Sequence, residues 1–231
     1  MPALYIANKN YSSWSLRPWI LMRELGIGFA EKLVPFAPGS NWNAFRDFSP
    51  NGKVPCLVDG DTTVWDSLAI TEYLAERHPG VWPSDAKARA FARCAAAEMH
   101  SGFNALRTQC SMNCGIRVKL HRIDDALARD LARIAELWNE GLATFGGPFL
   151  AGKHFTAADA FYAPVAFRIQ TYSLPVDDTA RAYAQRLLEL PAMREWYASA
   201  LVETWRDAGH EAEIPRWGDI VEDLRAPASQ G

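Results

Sequence analysis

The sequence is short of cysteine, of long apolar runs and of positive charge. Its four cysteines (Cys56, Cys94, Cys110, Cys114) are too few and too scattered for a disulfide framework in 231 residues. A chain kept reduced, in the cytoplasm, is the expectation. Cys-x-x-Cys does not occur, so a thioredoxin-like redox pair is not expected, and Cys110-x-x-x-Cys114 lacks a second pair of ligands for a metal. No stretch approaches the roughly 18 apolar residues of a membrane span. Met1 to Tyr5 contains no basic region leading into an apolar one, so no secretory leader is expected. With 24 Lys and Arg against 27 Asp and Glu, the net charge is -3. No basic field argues for nucleic acid or an anionic membrane. A glycine loop for nucleotides, a nucleophile elbow, internal repeats and low-complexity tracts are also lacking.

The chain does contain enough apolar residues for a substantial core: 49% hydrophobic, with nine tryptophans. Ala3 to Ala7 reads as a buried strand. Apolar residues Leu16, Trp19, Ile20 and Met22 mark a helix from Ser15 to Leu25, with Ser15 as its cap, Pro18 in its first turn and Gly26 as its stop. Phe29 to Val34 alternates like a half-buried strand, and Pro35 to Pro50 reads as loop with one short helix near Asn43–Phe45. Cys56–Val58 and Thr62–Val64 flank Asp59-Gly60-Asp61, a hairpin signal. Asp66 or Ser67 then opens a helix carrying Leu68, Ile70, Tyr73 and Leu74.

His78-Pro79-Gly80-Val81-Trp82-Pro83 breaks this pattern and divides the chain into residues 1–78 and 84–231. Beyond it the period is helical. Phe91, Ala95, Met99, Phe103, Leu106 and Cys110 predict one long helix; Leu127 to Phe145 predict another, stopped at Gly146-Gly147-Pro148. Thr156-Ala157-Ala158-Asp159 resembles a capping box with Asp in the usual place of Glu, and Pro164 is expected to kink the helix that follows. Helices are predicted over Ala180–Glu189 and Ala192–Trp205, then an irregular polar tail from Gly209 to Gly231. The fold class is a small α/β domain followed by an all-helical one.

Three stretches could carry chemistry. The turn Asn10-Tyr11-Ser12-Ser13-Trp14-Ser15 joins the first strand to the first helix, where open α/β sheets place ligands. A helix N-terminus there favours an anion such as a thiolate, and a serine hydroxyl pointed at the sulfur lowers the thiol's pKa. With Ser15 capping, Ser12 and Ser13 remain for this work. Val54-Pro55 opens the third strand, where a proline leaves the ladder unpaired. It is either a plain edge proline or a cis bond presenting Val54's main chain to an extended peptide. Asp66-Ser67 either caps a helix or receives the amino and carboxylate groups of an amino-acid end. Lys53 is either a solvated lysine or a partner for a second carboxylate.

In this order the three stretches resemble the cytosolic glutathione transferases over nearly the whole chain. The resemblance implies a thioredoxin-like N-terminal domain and an all-helical C-terminal domain. It also implies a homodimer using glutathione as co-substrate. The motif Ser12-Ser13-Trp14-Ser15-Leu16-Arg17 is similar to that of the serine-type classes, zeta and tau especially, placing the thiol-activating serine on Ser12 with Ser13 beside it. Val54, before a cis Pro55, then pairs with the cysteinyl unit; Asp66 and Ser67 hold the γ-glutamyl end, and Lys53 meets the glycine carboxylate. Trp14 stands where zeta enzymes carry cysteine, which speaks against a maleylacetoacetate isomerase role. Ser40-Asn41 occupies the region where tau-like members carry a second basic residue. The second-substrate pocket is expected between the domains, with Phe103 and Arg107 on its wall. The implied activity is attack of glutathione's thiolate on an electrophilic small molecule, or reduction of a peroxide. The alternative is a non-catalytic interaction module of the same fold.

Overall fold

Four short strands and the loop openings between them decide where ligands can approach the N-terminal half. The computed structural model describes residues 1–36 and 39–228. Strand β1 (Ala3–Ile6) leads into helix α1 (Ser13–Glu24), then β2 (Ala30–Leu33) and a short α2 (Asn41–Phe45). Strands β3 (Cys56–Asp59) and β4 (Thr62–Trp65) form the expected hairpin, with Gly60 at φ 64°, a conformation that favours glycine. Helix α3 (Ser67–Ala75) closes the unit. The sheet order is β2-β1-β3-β4, with β1 parallel to β2 and antiparallel to β3. The Val54–Pro55 bond at the mouth of β3 is cis, as is Gly147–Pro148.

Helix α1 starts two residues earlier than the sequence predicts. Ser12 is its N-cap residue and Ser15 lies within its first turn. Ser15 therefore does not cap; its Oγ accepts the N–H of Ala7, at the end of β1, at 3.3 Å. Pro18 accordingly lies beyond the first turn, where it removes one intrahelical bond. Leu16, Trp19, Ile20 and Met22 are fully buried as their spacing predicts. The expected loop from Pro35 to Pro50 includes Ala37 and Pro38, which lie outside the described residues.

The C-terminal half is helical, with two departures from expectation. The long helix predicted through Cys110 is broken. Helix α4 (Ala86–Ser101) stops at Gly102, Phe103 takes a left-handed conformation (φ 57°), and α5 (Asn104–Gln109) starts anew. Second, a two-stranded sheet joins the helices: β5 (Ile116–Leu120) pairs antiparallel with β6 (Gly218–Asp223). Between them run α6 (Asp125–Phe145), α7 (Ala157–Tyr172), α8 (Asp178–Glu189), α9 (Pro191–Leu201) and α10 (Ala208–Glu213). The tail beyond Gly209 is thus ordered as α10, a 3-10 turn and β6; its last residues, 229–231, lie outside the described residues. Among the described residues no helix is long and apolar enough to cross a membrane.

Helix α7 is the centre of this half, buried at every position but Gln170, and it runs through Pro164 without interruption. It also packs on α1, so one core joins both halves. Asp159 fixes its start. The carboxylate accepts the N–H groups of Leu150 and Thr156, both at 2.9 Å, and the Tyr183 hydroxyl at 2.7 Å. Burial pushes the Asp159 carboxyl up, and these hydrogen bonds oppose the shift.

Replacing Asp159 by Ala strands those buried donors, each costing about 1–3 kcal/mol when unpaired. Asp159→Ala should lower unfolding stability by about 3 kcal/mol or more, and Tyr183→Phe by about 1 kcal/mol. Urea denaturation of the two variants would check this; equal losses would show that Asp159's carboxylate does not organise the junction.

Candidate functional site

The turn after β1 is short and polar, yet Lys9, Asn10, Ser12 and Ser13 are all buried. Its backbone donors are taken up by the far end of the chain. Glu203 accepts the N–H of Lys9 at 2.6 Å and that of Asn10 at 3.2 Å, and Trp196 Nε1 donates to the Lys9 carbonyl at 2.9 Å. Asn10 Nδ2 donates to the Ala200 carbonyl at 2.6 Å, and Asn10 Oδ1 receives the N–H of Gly115 at 3.2 Å. Burial raises the Glu203 carboxyl, while the donors from Lys9 and Asn10 pull it back. The side chain of Lys9 lies 5.2 Å from the Trp19 ring and 5.5 Å from Trp196, with Glu31 as its ion partner at 2.8 Å.

Two cavities adjoin below this turn. The first, of about 300 Å³, is lined by Ser12, Ser13, Lys53 and Val54 from the N-terminal half. Arg107, Ser111, Met112, Arg168 and His210 line it from the helical half. The second is lined by Trp14, Asn51, Lys53, Val54, Pro55, Asp66 and Ser67. Lys53 and Val54 border both. The structure thus brings Ser12, Ser13, Lys53, Val54, Pro55, Asp66, Ser67 and Arg107 around two cavities that share Trp14, Lys53 and Val54 on their linings. Phe103 is the exception. As the left-handed residue before α5 it is buried 6.4 Å from the Tyr162 ring and does not line either cavity.

Local interactions set each group's role. Ser12 Oγ lies 2.7 Å from Ser15 Oγ. The segment before Pro55 is tied by Ser49, whose hydroxyl donates to the Lys53 carbonyl at 2.6 Å, and by Asn51, whose Oδ1 accepts the Lys53 N–H at 3.1 Å. Gly52 (φ 62°) is required there, since a Cβ would sit 2.5 Å from the Trp42 ring. Asp66 does cap α3, accepting the Leu68 N–H at 2.8 Å, and holds φ 75°, rare for a residue with a Cβ. Its second oxygen lies 3.7 Å from His100 Nε2. Beside it the Ser67 hydroxyl is fully buried and finds no hydrogen-bond partner among the described residues. An unpaired buried hydroxyl facing a polar cavity is a ready site for a ligand oxygen.

Tyr11 precedes the serines, and its hydroxyl is already engaged, donating to Glu211 at 2.7 Å. Burial and then Glu211 push its pKa up, so it stays protonated and turned toward α10. His210 stacks 5.0 Å from both Tyr11 and Phe36, placing α10 at the cavity's edge. Arg168, His210 and Glu213 were not found from the sequence. Arg168 had a signal: it is the one charge after Asp159 on a helix that, Gln170 aside, holds apolar or small residues. The α10 residues had none, because the tail reads as polar loop.

Two family models match this chain: "Glutathione S-transferase, N-terminal domain" over residues 11–77 and "Glutathione S-transferase, C-terminal domain" over residues 85–199. Among curated proteins it is 28% identical to glutathione S-transferase Z1 of Arabidopsis thaliana over 216 residues, 87% of this chain and 94% of that protein. It is 31% identical to glutathione S-transferase Z2 of the same plant over 161 residues, 65% of this chain and 70% of that protein. Among solved structures it is similar to the theta class glutathione S-transferase of Xanthomonas axonopodis pv. citri with glutathione bound. That likeness has a TM-score of 0.61 at 25% identity and covers 85% of this chain and 96% of that one. With its thioredoxin-like N-terminal domain and helical C-terminal domain, the chain belongs to the cytosolic glutathione transferase family.

Proposed function

We propose that this protein is a serine-type glutathione transferase, in which the Ser12 hydroxyl stabilises the glutathione thiolate for attack on an electrophilic small molecule. The carrying observation is the convergence of Ser12, Val54 and Asp66–Ser67, from three separate stretches, on two cavities that share Val54. The Ser67 hydroxyl, buried without a partner, fits one oxygen of the γ-glutamyl carboxylate, and Asp66 fits its amine. Lys53, exposed and on both cavity linings, fits the glycine carboxylate. A non-catalytic module would have no use for this set together. Reduction of a peroxide by the same thiolate is a second activity this arrangement supports, and a homodimer is the expected assembly.

Ser12 is preferred over Ser13 for a local reason. The Ser12 hydroxyl donates to Ser15 Oγ, which also accepts the Ala7 N–H, so Ser12 Oγ is held in place at the start of α1. When glutathione binds, the Ser12 hydroxyl turns its proton from Ser15 to the sulfur. Such a bond favours the charged form of the thiol and lowers its pKa. The N-terminus of α1 adds a favourable field for the anion. The thiolate attacks the electrophilic carbon, a carbon–sulfur bond forms, and the leaving group departs with the bonding pair.

Ser12→Ala should lower kcat roughly 10- to 100-fold, the worth of a hydrogen bond to a charged group, with little change in glutathione affinity. Ser13→Ala should have a much smaller effect. Steady-state kinetics against an aryl halide would check this, and unchanged turnover in Ser12→Ala would remove Ser12 from the chemistry. Ser67→Ala should act on the other step, weakening glutathione binding roughly tenfold with kcat nearly kept. Calorimetric titration with glutathione reads that directly; unaltered affinity would contradict the assignment of Ser67.

A further inference from the structure

Thiol activation leaves a set of buried charges without a task. Arg168, in the second half of α7, is only 3% exposed. Its Nε donates to the Cys110 carbonyl at 2.7 Å and its Nη1 to the Pro164 carbonyl at 3.2 Å. Nη2 has no protein partner among the described residues, and the side chain lines the first cavity. Arg107 lines the same cavity, with its guanidinium 4.8 Å from the Trp14 ring. Arg17 lies behind, 4.1 Å from that ring, with its Nε and Nη1 unpartnered. None of the three forms an ion pair among the described residues.

Burying cations without counter-ions is costly. Burial, and then the neighbouring Arg107, pull Arg168 down to about 10, and the same two causes hold Arg17 well below its ordinary range. Asp66 and Asp130 favour the charged forms of Arg17 and Arg107 from beyond ion-pair distance, and Glu213 is the carboxylate on the cavity lining. Arg107 has a structural use, donating to the Met99 and Gly102 carbonyls at the end of α4. Arg168 keeps a nitrogen to spare after its two carbonyls are met. Two lining arginines against Glu213 leave the helical side of this cavity one positive charge in excess.

We propose that the second substrate carries a single carboxylate, received by Arg168 with Arg107 beside it, while its apolar body rests against Trp14, Phe36 and Met112. This rests on the reading that the Ser12 side of the same cavity holds the glutathione sulfur. A guanidinium fork matches a planar carboxylate, and the low-dielectric wall strengthens the pairing. The proposal excludes a neutral hydrophobic electrophile as the preferred substrate.

Calorimetric titration of the full chain with 3,5-dinitrobenzoate and with its uncharged methyl ester tests this without needing turnover. The acid should bind roughly tenfold or more tightly than the ester, the worth of a charge-assisted hydrogen bond. Arg168→Met should abolish that preference. Should Arg168→Met fail to fold, Arg107→Gln, at a half-buried position, should reduce the preference by several-fold. Equal binding of acid and ester by the unaltered protein, or a preference that survives in every folded variant, would overturn the proposal. Retention on immobilised glutathione is read separately. Protein that prefers the acid but is not retained keeps the carboxylate site and overturns the transferase reading; retained protein without the preference overturns only the carboxylate site.

Discussion

The whole arrangement depends on the uptake of the Lys9 and Asn10 backbone by Glu203. Those two amides lie where the chain leaves β1 for the serine turn, and they are buried. Unpaired, they would oppose folding of the turn into this position. Their acceptor lies about 190 residues later in the chain, just past α9. Trp196, Ala200 and Gly115 add further bonds from the same side. The serine turn therefore takes its shape only when both halves are folded against each other. The Trp19 and Trp196 rings, 5.1 Å apart beneath Lys9, put apolar burial behind the same junction.

From that anchor the chemistry follows in sequence. A turn held from behind fixes the start of α1. The start of α1 fixes Ser12 beside Ser15, and Ser15 is oriented by the Ala7 amide at the end of β1. Tyr11, the residue before Ser12, has its hydroxyl turned to Glu211. On the opposite side, Ser49 and Asn51 tie down the segment that carries Lys53 and Val54. Asp66 accepts strained backbone to turn α3's first residues into the second cavity. Each half contributes different chemistry to the groove: hydroxyl and main-chain groups from the sheet side, guanidinium groups from the helices.

Much of what was legible in the sequence was written in local turn chemistry and helical spacing. Gly60 and Asp66-Ser67 announce a hairpin turn and a helix cap by residue type, whereas Val54-Pro55 read alone left a plain edge proline open and pointed to a cis bond only through the family resemblance. Ser15 misled because capping is a local argument, whereas its partner, Ala7, comes from the end of a strand. The break between α4 and α5 was hidden by spacing. One left-handed residue, Phe103, interrupts the helix while Met99, Phe103, Leu106 and Cys110 keep their interval. The same break turns Phe103 into the core and leaves Arg107 at the cavity. Ile116-Arg117-Val118-Lys119-Leu120 alternates as a strand should, but its partner β6 lies in a polar, exposed tail with no apolar face to announce it. Arg168 stood out as the one charge after Asp159 on a largely apolar helix; only the fold shows which cavity it borders.

The central claim concerns sulfur. Ultraviolet difference titration of glutathione bound to the unaltered protein measures the thiol's pKa where Ser12 is said to act. A value at least one unit below the about 8.5 of a free cysteine thiol is what this account predicts. Glutathione that binds in the groove and titrates at the free-thiol value would contradict it.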